Sequence, residues 1–235
     1  CDALRELFRD ATAAKAQVGS QAYGGQGGYG GQIPRPSSSN YVAHNKPTPP
    51  TEAQQAAADA LGVPYQVIQA IEAVESGGKA SAVRFEPHLW HRNYTKYGLT
   101  EAQRDAMPFT RNDQVPFSKV ASETNEAAFN KAMEISPALA VASTSFGLYQ
   151  VMGYNFENYR NTATEKVAAF RADPEGMSYE LLLKWFEGSP AAKTAAKDLN
   201  WEELARRYNG PANVAVYAPR LSRQYAAFTG TTSVI

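Results

Sequence analysis

Residues 71–90 read IEAVESGGKASAVRFEPHLW. A helical pattern runs into two glycines, and a short extended stretch follows that carries a second carboxylate. Counting 100° per residue from Pro64, the residues Val63, Val67, Ile68, Ile71 and Val74 fill an arc of roughly 140°. Glu75 falls inside that arc, close to Ile68 and Ile71, whereas Glu72 falls outside it, on the side predicted to meet solvent or a rim. Glu75 also occupies the last helical turn, where the negative end of the helix dipole opposes another negative charge. Burial and dipole both push its pKa upward, which suits a general acid working near neutral pH. On pattern alone a plainer reading stands beside this one: a helix-end glutamate bonded to the backbone that follows.

Outward from this stretch the composition narrows the class. The chain has 235 residues, 43% hydrophobic and 20% charged, within the range of a globular protein with a sizeable core. Lysine plus arginine equals aspartate plus glutamate, 23 of each, so net charge gives no reason to expect nucleic acid. No apolar run approaches the roughly 18 residues of a membrane span. A single cysteine, Cys1, excludes an internal disulfide framework and a cysteine zinc cluster. Opening on Cys1 reads as a processed or excised product: a lipid-bearing cysteine, a removed pro-segment or an excision boundary.

Three regions follow. Residues 1–17 suit a short amphipathic helix with Leu4, Leu7, Phe8 and Ala11 on one face. Residues 18–50, rich in Gly, Gln, Ser and Pro, read as a flexible linker. Residues 51–235 form the globular domain. There TEAQQAAADALG has Thr51 as N-cap and a closing glycine, and EAAFNKAMEI, EKVAAFRAD, YELLLKWFEG, KTAAKDL, WEELARRYNG and LSRQYAAF carry helical spacing. Only residues 80–90 look like strand or hairpin. The predicted fold is mostly α, of the α+β kind, with a small β-hairpin after the Glu75 helix.

Two further stretches matter. STSFGLYQVMGYNF, residues 143–156, places a turn of small residues before an amphipathic run containing Gln150. ARRYNGP, residues 205–211, ends a helix whose Trp201, Leu204, Ala205 and Tyr208 share a face. Glu-Ser-Gly-Gly, Phe-Glu, Ser-Phe-Gly-Leu-Tyr-Gln-Val-Met-Gly and Arg-Tyr-Asn-Gly-Pro, in that order, resemble the N-acetylmuramidase family of phage endolysins. That family is similar in turn to goose-type lysozymes and lytic transglycosylases. The resemblance spans roughly residues 51–228.

The resemblance implies a lysozyme-like domain that degrades peptidoglycan. It implies Glu75 as the acid on the glycosidic oxygen and Glu86 as the second carboxyl. Gln150 would face the cleft, Tyr208 and Asn209 would line its floor, and Tyr149 and His88 would join the substrate-binding set. One departure stands out: the segment between Glu75 and Glu86 is shorter than the family's usual Gly- and Pro-containing excursion. No cofactor and no metal is expected, since His88, His91 and Glu86 would have helical spacing in a stretch that looks extended. The expected partner is bacterial peptidoglycan, with virion tail proteins met through residues 1–50. The expected location is the virion or the host periplasm and cell wall, with a lipid anchor at Cys1 as the alternative. A lytic transglycosylase and an inactive virion or wall-binding protein are the competing functions.

Overall fold

The computed structural model describes residues 48–107, 122–156 and 162–231. The helix expected over 1–17, the linker up to residue 47 and Cys1 lie outside them. Helix α1 (Glu52–Leu61) starts at Thr51, whose hydroxyl accepts the Gln54 amide N–H, while the Gln54 side chain reaches back to Thr51 N at 3.0 Å. This reciprocal cap satisfies donors that the first turn would otherwise leave bare. Gly62 closes the helix in the left-handed conformation, φ 67°, which glycine adopts without steric cost. Helix α2 (Tyr65–Glu75) follows and buries Val67, Ile68 and Ile71 at no more than 1% exposure. At about 1.5–3 kcal/mol for each such side chain, this apolar stripe anchors the domain. α1 lies on one flank of α2, and the last helix of the chain packs along it.

From α2 the chain enters strand β1 (Val83–Phe85), then helix α3 (Pro87–Asn93), a 3-10 turn (Tyr94–Tyr97) and helix α4 (Glu101–Asp105). The stretch 80–90, expected as strand or hairpin, is therefore strand over three residues only. Pro87 takes the first position of α3, with Glu86 as its N-cap; a fixed φ and a missing N–H suit proline to that place. Next come α5 (Ser122–Ile135), α6 (Pro137–Ala142), β2 (Thr144–Phe146), β3 (Val151–Met152) and a 3-10 turn (Gly153–Phe156). The remaining helices are α7 (Ala163–Ala172), α8 (Pro174–Glu187), α9 (Pro190–Lys197), α10 (Trp201–Tyr208) and α11 (Val214–Thr229). All six segments with helical spacing are helices here.

The β element is a three-stranded antiparallel sheet in the order β1-β2-β3, with Arg84 opposite Ser145 and Ser145 opposite Met152. Its hairpin is β2–β3, and β1 pairs with a strand from far along the chain. Strands of two and three residues are too short to show a period of two in sequence. On the core side Phe146 meets Phe129 and Phe170 edge-on, with ring centroids 5.6 and 5.3 Å away. Among the described residues no helix is long and apolar enough to cross a membrane.

Two glycines shape the hairpin. Gly147 has φ 74°, and a Cβ there would lie 2.0 Å from Ser178 Oγ of α8. That hydroxyl accepts the Leu148 N–H at 3.0 Å and donates to Pro174 O. At Gly153 a Cβ would meet the Val141 carbonyl oxygen at 1.9 Å. Gly147→Ala is expected to cost about 2–4 kcal/mol, combining left-handed strain with overpacking. Gly98→Ala, also at positive φ but with open space around it, should cost about 1 kcal/mol. Denaturant unfolding of the two variants measures the difference; equal costs would mean that the Ser178 contact yields freely.

Candidate active site

Glu75 is the last residue of α2, and its half-buried carboxyl receives a hydrogen bond from Asn209 Nδ2 at 2.8 Å. Asn209 caps the end of α10 and is itself held by Asn213, whose Nδ2 donates to the Asn209 carbonyl at 2.6 Å. Burial raises the Glu75 pKa from an ordinary 4.5 to about 7, against the opposing pull of the Asn209 bond and of the Arg84 and Arg220 charges. The Oδ1 atom of Asn209 is buried without a hydrogen-bond partner. One polar acceptor is thus left open beside the carboxyl.

Glu86 sits where β1 gives way to α3. Its N–H donates to Ser143 O at 2.8 Å, which ties it to the residue before β2. Its side chain is 15% exposed, with Oε1 3.3 Å from Arg84 Nε and Oε2 3.5 Å from His88 Nδ1. Burial pushes this carboxyl too from 4.5 to about 7, with Arg84 pulling it back down. The chain therefore holds two carboxyls of similar raised affinity for a proton but different neighbours. Both neighbours favour the ionised form, a neutral N–H donor at Glu75 and a full charge in contact at Glu86.

The other expected residues fall differently. Tyr208 is half-buried, its ring edge 4.5 Å by centroid from Trp185 and its hydroxyl donating to the carbonyl of Tyr149. Burial, and behind it the Glu75 charge, lift its pKa well above the usual 10. Tyr149, expected to touch substrate, is 0% exposed. It packs edge-on against Tyr179 at 5.4 Å and points its hydroxyl at Glu72 Oε2, 3.4 Å away, so it is a core member under the site. Gln150, expected to face the cleft, has its amide engaged within the sheet. Its Oε1 accepts from Ser145 Oγ at 2.9 Å, and its Nε2 donates to Gly147 O and Ala82 O at 3.0 and 3.4 Å. At φ 49°, Gln150 is held in the left-handed region by these bonds. His88 is exposed and reaches the site only through Glu86.

Two further corrections concern neighbours. Glu72, expected toward solvent or a rim, is half-buried and accepts hydrogen bonds from Gln54 Nε2 at 3.0 Å and from Tyr149. A single-helix projection could not see that α1 and the β2–β3 turn cover that side. The stretch holding His88 and His91 is helical, so their spacing does suit one helix face. Even so, no group of three or more His, Cys, Asp or Glu able to hold a metal occurs among the described residues. Sequence reading missed Arg84. The signal was present: two residues before Glu86 in an extended stretch, it shares that residue's face.

A family model for muramidases, described as N-acetylmuramidase, matches residues 64–229, more than half of the chain. Among solved structures the chain is similar to the Burkholderia AP3 phage endolysin, with a TM-score of 0.60 and 23% identity over 75% of this chain and 69% of that one. At that identity the likeness speaks for the fold, a mostly helical endolysin-like one. No curated protein matches. With both carboxyls and the Asn209 cap inside the matched region, the chain belongs to the N-acetylmuramidase family of peptidoglycan-degrading enzymes.

Proposed function

We propose that the protein hydrolyses the β-1,4 bond between N-acetylmuramic acid and N-acetylglucosamine, with Glu75 as general acid and Glu86 as general base. The observation that carries this reading is one half-buried carboxyl held by a neutral amide and a second, also half-buried, in contact with a cation. Glu75 gives its proton to the glycosidic oxygen as the bond to the anomeric carbon breaks. Glu86 takes a proton from a water that attacks that carbon from the opposite face, giving an inverted product. Both residues then return to their starting states by exchange with solvent. Two carboxyls kept in different environments divide acid and base work in this way. Tyr208 and Asn209 form the floor next to Glu75, and Tyr149 and Gln150 act beneath it by holding Tyr208 and the sheet. The endolysin-like fold supports a phage-encoded wall lysin. Attachment to a virion through residues 1–50, or to a membrane through Cys1, rests on residues of which all but 48–50 lie outside those described.

Digestion of purified peptidoglycan, with muropeptides read by mass spectrometry, tests the reading. Wild type should release reducing muramic ends, and Glu75→Gln should lower the rate by about 10²–10⁴-fold while circular dichroism stays unchanged. Full activity in that variant would overturn the assignment. Products lighter by one water would mean attack by the muramoyl 6-hydroxyl and a transglycosylase; in that case Glu86→Gln should cost little.

Stability supplies an independent check. A carboxyl raised on folding favours the folded state below its ordinary value of 4.5, and that contribution is lost as pH rises through about 7. Wild type should therefore weaken between those values, by about 1–3 kcal/mol per buried carboxyl. Glu75→Gln lacks its share of that loss and should be the more stable protein at about pH 8, but not at about pH 4. Urea unfolding at both pH values reads the crossing, and parallel curves would mean that Glu75 titrates as an exposed group.

A further inference from the structure

Burial raises both carboxyls, each against the pull of the Arg84 charge, yet acid and base need opposite protonation states. Something must break the symmetry. In β1, Phe85 points into the core at 1% exposure, its ring 6.1 Å from Trp90. Alternation then turns Arg84 to the other face. Glu86 continues extended, φ −110° and ψ 92°, so its side chain returns to the Arg84 side. The sheet fixes the cation there. Arg84 lies opposite Ser145 in the β1–β2 register, and Ser145 is in turn bonded to Gln150.

The two carboxyls meet different charged groups. Glu86 faces the Arg84 guanidinium from β1 and the His88 imidazole from α3. β2 and α6 present no charged residue to it, and on α5, which packs against β1, Glu126 pairs with Arg171 and Lys131 with Glu134. Glu75 faces the Asn209 amide and Tyr208 from α10, and the Arg84 and Arg220 charges at longer range. Arg84 thus acts on both carboxyls but is in contact with Glu86.

We infer that Arg84 is the positioning residue that divides the two roles: its guanidinium, in contact with Glu86, keeps that residue the anion and leaves the part of proton donor to Glu75. This rests on the acid and base assignment proposed above. A guanidinium suits the task because it stays charged across the working range, and the β1–β2 register fixes where its backbone stands.

The test uses the full chain, labelled with ¹³C at the glutamate carboxyls, as wild type, Arg84→Gln and Arg84→Lys. Carboxyl titrations are followed by NMR without substrate, and kcat/KM on peptidoglycan is followed against pH. In Arg84→Gln the Glu86 titration should move upward by about one pH unit. The acidic limb of kcat/KM should follow it, so activity is lost about tenfold more at low pH than at high pH. The alkaline limb, set by Glu75, should move less. Arg84→Lys should recover part of the shift, and it keeps the test open if the glutamine variant does not fold. A fall in kcat that is uniform in pH, with both titrations unmoved, would overturn the inference and make Arg84 a support of the strand only. Wild type without muramidase activity would instead remove the acid and base assignment, while the NMR titrations would still report whether Arg84 governs Glu86.

Discussion

A hydrogen bond between residues 134 positions apart in sequence organises this domain: the Asn209 amide on the Glu75 carboxyl. It joins the end of α2 to the end of α10, and both helix ends are placed by burial. α2 is seated by Val67, Ile68 and Ile71, and α10 by Leu204 and Ala205. A carboxyl in such a place is costly to ionise. The cost is expressed as a raised proton affinity, which suits the acid role proposed for Glu75.

Beneath the site a second set of polar contacts performs a different task. Gln54 of α1 and Tyr149 of the hairpin turn both reach Glu72, one turn before Glu75 on α2. The carbonyl of Tyr149 accepts from Tyr208, one residue before Asn209. The two ends of the site are therefore tied together twice, directly through Asn209 and indirectly through Glu72, Tyr149 and Tyr208. Burial raises the Glu72 carboxyl as well, yet its oxygen is committed to Gln54 and Tyr149. The two i,i+3 glutamates of α2 are thereby separated: Glu72 is bonded to Gln54 and Tyr149, and Glu75 to Asn209.

The sheet sets the second carboxyl. Its strands are minimal, and the bonds of Gln150 to Ala82, Ser145 and Gly147 stiffen what the ladder alone could not. Phe-Gly-Leu-Tyr-Gln is thus mainly a construction motif. Its glycine admits α8, its tyrosine fills the core and its glutamine locks the turn. Small sheets gain definition from such side-chain bonds when backbone pairs are few.

The sequence by itself determined the long helices, because burial writes a 3.6-residue period into α1, α2 and α7–α11. It also singled out Glu75 as a candidate, an acid inside an apolar arc at a helix end, while Glu86 was a candidate only through the resemblance of its Phe-Glu pair to the family's motif. The tertiary structure alone decided the rest. Strands of two and three residues leave no period, so β2 exists through pairing with β1 and β3 through pairing with β2. Tyr149 became a buried post and Gln150 a brace because α8 and the loop at Ala82 close over them, contacts that no local pattern encodes. Glu72 is half-buried for the same reason, with Gln54 of α1 and Tyr149 of the hairpin turn on its carboxyl. What separates Glu75 from Glu86 is not residue type, since both are glutamates, but which side chain folding places within reach of each: an amide for one and a guanidinium for the other.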